Sequence, residues 1–174
     1  MGETKACPGC KKAFGFFRWR KTCPSCRIDF CGDCIIKDFP VTFKWLSKKP
    51  VNIVDSYQNH RCCPVCWNEK GKPFVEKYNR SMDGFEKAET YSKNYQGKVP
   101  KASTSEIQKL ETSWWESKDE AKKAIQIEAV FLECDVVVDL EFEKGTDSAS
   151  SNNGKGTYYY SIWKATGIAY KSAS

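Results

Sequence analysis

Four C-x-x-C pairs fall within the first 66 residues: Cys7/Cys10, Cys23/Cys26, Cys31/Cys34 and Cys63/Cys66, separated by gaps of twelve, four and twenty-eight residues. A C-x-x-C turn brings two sulfurs to about 2.3 Å from one ion and so supplies half of a tetrahedral zinc site. Four half-sites make two complete ones. The short gap between Cys26 and Cys31 separates the middle pairs yet keeps them close, which suits cross-braced ligation. Pairs one and three then form one site (Cys7, Cys10, Cys31, Cys34), and pairs two and four the other (Cys23, Cys26, Cys63, Cys66). Cys62 is a spare thiol whose C-x3-C spacing with Cys66 leaves it open as a replacement for Cys63. Cys134 sits in an apolar run and reads as a buried small side chain, and His60, the single histidine, reads as a loop residue.

The remaining composition says where such a module would work. The start of the chain, Met1-Gly2-Glu3-Thr4-Lys5-Ala6, has neither the apolar core of a secretory signal nor a Ser or Thr at position six for N-myristoylation. A reducing, cytoplasmic setting is therefore expected, in which clustered cysteines bind metal rather than form disulfides. No run approaches the length of a membrane span. Residues 1–80 carry 16 Lys/Arg against 7 Asp/Glu, and residues 81–174 carry 12 against 15. Eight thiolates on two Zn²⁺ ions would remove four positive charges from the first part and still leave it basic. An anionic partner is expected.

Beyond the cysteines, three segments are expected: 1–70, the double zinc module; 71–100, a connecting helix and linker; and 101–174, an extension of helix and β-hairpin. Phe74, Tyr78, Met82 and Phe85 recur at helical spacing and predict a helix over 72–95. Ser103, Thr104 and Ser105 are candidate N-caps, and Ser103 with Glu106 reads as a capping box. The helix so begun runs through Ile107, Leu110 and Trp114 to about Ala124. Ile127–Phe142 reads as strand, Gly145–Gly156 as loop, and Thr157–Trp163, with Gly167–Tyr170, as strand again. The fold class is α+β.

The run Phe14-Gly-Phe-Phe-Arg-Trp-Arg-Lys-Thr-Cys23-Pro-Ser-Cys26-Arg-Ile-Asp-Phe30-Cys31-Gly-Asp-Cys34, with Arg61 ahead of the last pair, resembles the heart of a FYVE-type zinc finger. Residues 7 to about 70 carry the resemblance. Trp19-Arg20-Lys21-Thr22-Cys23-Pro24 stands where that family has R-R-H-H-C-R, so the two histidines and the final arginine are replaced. The resemblance implies two zinc ions, two small hairpins and a C-terminal helix. It also implies peripheral binding to endosomal membranes bearing phosphatidylinositol 3-phosphate.

On that basis Phe16 and Phe17 would insert into the lipid interface, and Arg18, Arg20 and Lys21 would grip anionic headgroups. The alternative is a zinc-scaffolded protein-interaction module, like the FYVE-related domains of Rab effectors. Its partner would dock through 72–174, where Trp114 and Trp115 are candidate anchors, and homodimerisation is left open. A RING-type ligase is disfavoured by the four-residue gap and the all-cysteine ligands, and a PHD-type reader by Cys31 where a histidine is expected. No nucleic-acid partner is expected, since only charge and interleaved aromatics point to one. Four-thiolate sites leave no open position and no acid–base pair is evident, so the chain is expected not to be an enzyme.

Overall fold

The computed structural model describes residues 5–23, 25–35, 43–46, 62–103, 107–150 and 156–173. Two compact units divide the chain: Met1–Thr42 with Lys48–Lys77, and Phe43–Ser47 with Tyr78–Ser174. Helix and sheet are mixed, and a long strand hairpin lies at the C-terminal end. No helix among the described residues is long and apolar enough to cross a membrane.

In the first unit, β1 (Arg20–Thr22) pairs antiparallel with β2 (Asp29–Cys31), and Thr22 Oγ1 donates to Asp29 Oδ1 at 2.7 Å across the end of the ladder. This register leaves Cys23 and Cys26 in the hairpin turn and delivers Cys31 at the far end of β2. Bridges at Ala6↔Ala13 and Gly15↔Arg18 fold the preceding segment into two more tight turns. A short helix, α1 (Pro64–Cys66), begins with Cys63 as its N-cap and Pro64 in its first turn, where a missing N–H costs nothing. A π-helical turn (Trp67–Gly71) follows, then α2 (Lys72–Gly84). Phe74 and Tyr78 are buried, as their helical spacing predicts, but the helix ends at Gly84, short of residue 95. A 3₁₀ turn (Phe85–Lys87) and strand β3 (Glu89–Ser92) take over.

The second unit is a four-stranded sheet in the order β3-β5-β6-β4, with β4 at Gln108–Glu111, β5 at Val136–Ser150 and β6 at Thr157–Tyr170. Helix α3 (Lys118–Phe131) packs its small face onto it, so that Ala121, Ile125 and Ala129 share one buried cluster with Val137, Leu140, Ala165 and Ala169. Alanines at the contact let the helix lie close to the sheet. Gly167 serves the same end, since a Cβ there would stand 2.8 Å from Val137 Cγ1 and 3.3 Å from Ile125 Cδ1. Phe43, Trp45 and Leu46, drawn from the long gap between the third and fourth cysteine pairs, are also buried in this unit. Trp45 stacks on Trp115 at 4.3 Å and 10°.

Three sequence expectations are corrected here. Residues 108–111 form a strand, not part of a helix, and Ser103 is held by a backbone bond from its N–H to Lys171 O at 2.7 Å; Thr104, Ser105 and Glu106 lie outside the described residues. The real N-cap is Ser117, whose Oγ accepts from Glu120 N–H at 3.1 Å, the same S-x-x-E pattern fourteen residues later. The helix then runs through Ile127 to Phe131 before any strand begins. Finally, Gly145 to Ser150 continues β5 instead of forming a loop. Gly145 suits a strand here because a Cβ would lie 2.9 Å from the Trp114 ring.

Candidate metal centres

The first two cysteine pairs fold alike. In one, Lys11 N–H donates to Cys7 O at 2.7 Å and Cys7 N–H to Lys12 O at 2.9 Å. In the other, Arg27 N–H donates to Cys23 O at 2.8 Å and Cys23 N–H to Ile28 O at 2.9 Å. Both turns close through a left-handed residue immediately after the second cysteine, Lys11 at φ 62° and Arg27 at φ 61°. The third and fourth pairs ride on helical turns: Ile35 N–H donates to Cys31 O at 3.2 Å, and Trp67 N–H to Cys63 O at 2.9 Å. Each turn of the first kind meets one of the second. Gly9 permits the first of these approaches, because a Cβ there would be 3.0 Å from Cys34 Cβ.

Two tetrads result, Cys7/Cys10/Cys31/Cys34 and Cys23/Cys26/Cys63/Cys66, with the four sulfurs of each within 4.8 Å of one another. These are the two sets that the spacing groups together. Cys10 Sγ and Cys31 Sγ are 3.8 Å apart, as are Cys26 Sγ and Cys63 Sγ. A regular tetrahedron with metal–sulfur bonds of about 2.3 Å has an edge of about 3.8 Å. Each tetrad could therefore hold a metal ion, consistent with two zinc ions. Matching backbone donors support both sites: Cys31 N–H points to Cys7 Sγ at 3.3 Å, and Cys63 N–H to Cys23 Sγ at 3.4 Å.

Electrostatics give the same picture. Burial raises the Cys7 thiol, but the N–H groups of Cys31, Cys10 and Gly9 outweigh it and bring it down to about 6. Burial likewise opposes ionisation of Cys23, and the N–H groups of Cys63, Cys26 and Ser25 bring it to about 7. One thiol in each set moves the other way. The Cys31 side chain, then burial, push Cys34 up to about 12, and burial above all raises Cys63. Four sulfurs this close cannot all ionise unaided, and a divalent cation at the centre would supply the missing charge. Cys62 stays outside the set; burial and the Cys23 and Cys66 charges push it up to about 12, and it donates to Cys63 O at 3.4 Å.

The basic strip has a different setting from its aromatic neighbours. Arg18 turns its Nη1 onto the first tetrad, 3.6 Å from Cys10 Sγ and 3.9 Å from Cys31 Sγ, with Asp33 at 3.8 Å. The Arg20 guanidinium lies over the Phe14 ring at 5.1 Å, 3.9 Å from Asp29. Lys21 makes no ion pair among the described residues. Phe16 and Phe17 occupy the two central positions of the turn closed by Arg18 N–H to Gly15 O at 2.9 Å, and are 84% and 95% exposed. Their rings touch only edge to face, at 5.3 Å. A shallow cleft of about 390 Å³ lies behind them, lined by Phe14, Gly15, Phe16, Arg18, Trp19 and Arg20. Trp19, between Arg18 and Arg20, is 70% exposed; it falls within the basic run that carries the family resemblance, which assigns it no part in lipid binding. His60 and Arg61 lie outside the described residues, and Cys134 is buried.

No family model, curated protein or solved structure matches the chain.

Proposed function

We propose that the chain is a non-catalytic, FYVE-like module built on two Zn²⁺ ions, which recruits the protein to anionic, phosphoinositide-containing endosomal membranes. The observation that carries this reading is the Gly15–Arg18 turn. A folded unit with this little core gains nothing by holding two phenylalanines in water at its tip. Both rings can enter the lipid interface while Lys21 and the outer faces of Arg18 and Arg20 meet anionic headgroups. Zinc is favoured because all eight candidate ligands are cysteine sulfurs, four to a site. A closed four-thiolate site has no position for substrate, so the zinc would be structural.

One observation favours a second reading. Arg18 and Arg20 already face thiols and a carboxylate within the fold, which reduces what they can offer a phosphate. A zinc-scaffolded protein-interaction module, without headgroup specificity, would leave them so engaged.

Co-sedimentation separates the two. Zinc-loaded protein at physiological salt is mixed with vesicles of neutral lipid, of phosphatidylserine, or of single phosphoinositides at matched total charge. Preference for the 3-phosphate supports a stereospecific headgroup site, and binding that follows charge alone supports an electrostatic anchor with inserted aromatics. Absence of binding to every vesicle overturns the membrane reading in favour of the protein scaffold.

A further inference from the structure

The β5–β6 hairpin runs on well past the strands that flank it. β3 accompanies β5 only as far as Leu140, and β4 accompanies β6 over Thr166–Ala169. Thr112 then pairs with Ala165, and Trp115 closes the edge with Trp115 N–H to Trp163 O at 2.8 Å and Trp163 N–H to Trp115 O at 2.7 Å. Beyond Trp163 the outer edge of β6 has no partner strand among the described residues.

Strand periodicity fixes which groups face outward. Trp163 presents both its N–H and its C=O to the outer edge, and the ladder from Lys144↔Trp163 to Ser150↔Thr157 has no bulge. Ser161, Tyr159 and Thr157 therefore present theirs too. Native proteins guard such edges with lysines, prolines, bulges or covering segments. The β5 edge follows that rule, with Glu141, Glu143, Lys144 and Asp147 along its free length. The β6 edge does not. Thr157-Tyr-Tyr-Tyr-Ser-Ile162 has no charge, no proline and no bulge, and Tyr159 is 75% exposed.

We propose that this edge pairs with the same edge of a second copy of the chain, making an antiparallel two-fold dimer. Only residues with outward-facing backbone groups can pair, and of the registers this allows the one centred on Tyr159 uses all three free positions: Tyr159 meets Tyr159 of the second copy, while Thr157 meets its Ser161. In this register Tyr158 faces the second copy's Tyr160. The existing Tyr158–Tyr160 pair, with ring centroids 6.0 Å apart, would be doubled into a row of four on one face. No charge opposes a like charge. A β5-to-β5 pairing would instead line up two strands that each carry three acidic residues and one lysine within 141–147. The charge pattern thus selects both the edge and a self-complementary partner, because an isologous interface requires one surface to fit itself. This inference stands apart from the membrane reading, and either can fail alone.

The test is sedimentation equilibrium of the full chain over a hundredfold range of concentration, with no lipid present. Wild type is expected to move from 19.9 kDa towards twice that mass. Tyr159→Lys, which sets two ammonium groups face to face on the axis, and Ser161→Pro, which removes an outward N–H, are each expected to remain monomeric with unchanged circular dichroism. Ser148→Lys, on the β5 edge, is expected to leave the dimer intact. A wild-type chain that stays monomeric throughout overturns the proposal. So does a dimer that survives in folded Tyr159→Lys and Ser161→Pro variants, or one that Ser148→Lys dissolves as completely.

Discussion

Replacing Phe16 and Phe17 together by serine tests the membrane reading at its most quantitative point. A phenylalanine offers roughly 150–250 Å² for burial, and these two stand 84% and 95% exposed. The pair thus presents about 350 Å² of mostly apolar surface. At about 25 cal/mol per Å², complete removal from water would be worth ~9 kcal/mol. An interfacial turn seats only part of each ring, and withdrawal of half the area gives ~4 kcal/mol, or about three decades in partition coefficient. The folded state should hardly notice, since each ring's recorded ring contact is the other, and surface changes of this kind usually stay within about 0.5 kcal/mol. The assay is vesicle co-sedimentation of wild type and double variant on the same anionic lipid, with zinc content and circular dichroism measured in parallel. A fall of two to three decades at unchanged zinc content fits the reasoning. A partition coefficient within a factor of two of wild type refutes it, because the apolar contribution would then be absent.

Other consequences follow from particular residues. Changing Cys31 or Cys23 to serine is expected to unfold the first unit and release the metal from both tetrads, which lie in that unit, since ligand free energy is folding free energy in small metallodomains; metal analysis and thermal melting check this. Ile125→Ala, at a site with no solvent exposure, should cost the second unit about 2–5 kcal/mol in urea unfolding while metal content stays the same. Lys11→Gly should stabilise the zinc-loaded first unit by about 0.5–1 kcal/mol, because glycine adopts the φ of 62° without a Cβ penalty. Asp135 supplies the pH dependence. Burial raises its carboxyl, but the Ser172 hydroxyl at 2.7 Å and N–H at 2.6 Å outweigh that and hold it below the ordinary carboxylate value. A lowered folded value stabilises the fold at neutral pH, and the contribution is lost as pH falls below about 4 and through the folded value. Asp135→Asn should therefore be less stable than wild type at pH 7, with the difference shrinking under acid, as urea unfolding at several pH values would show.

What could be read from the sequence was local chemistry. A C-x-x-C pair commits its two sulfurs within one turn, and the short Cys26–Cys31 gap suggested the cross-braced grouping of the four pairs. The helical placement of Phe74 and Tyr78 could be read for the same reason, each lying one turn from the other on a single face. The second unit was harder because its elements imitate one another. Ile107, Leu110 and Trp114 have helical spacing, yet Leu110 is buried from a strand of four residues, too short to show an alternation. Ser103-x-x-Glu106 and Ser117-x-x-Glu120 are equivalent as capping boxes. What separates them is the Ala121, Ala124, Ile125 face that follows the second, and its value appears only once a sheet of small residues lies beneath it. The β-branched Ile127 and Val130 drew that part of the helix towards strand.

The same limit explains Phe43–Leu46 and Gly145. Nothing within the gap between the third and fourth cysteine pairs announces that Trp45 will stack on Trp115, because the partner lies seventy residues away. Gly145, in a Gly/Ser-rich stretch, reads as a turn until the Trp114 ring is placed over it. Arg18 is the instructive case for function. By sequence it belongs to a basic run and so to an anionic ligand, and the fold does give it company of its own, in the Asp33 carboxylate and the sulfurs of Cys10 and Cys31. Charge in the sequence establishes that a cation needs a partner. Only the hairpin register, which carries Cys31 past the Gly15–Arg18 turn, determines which partner is within reach.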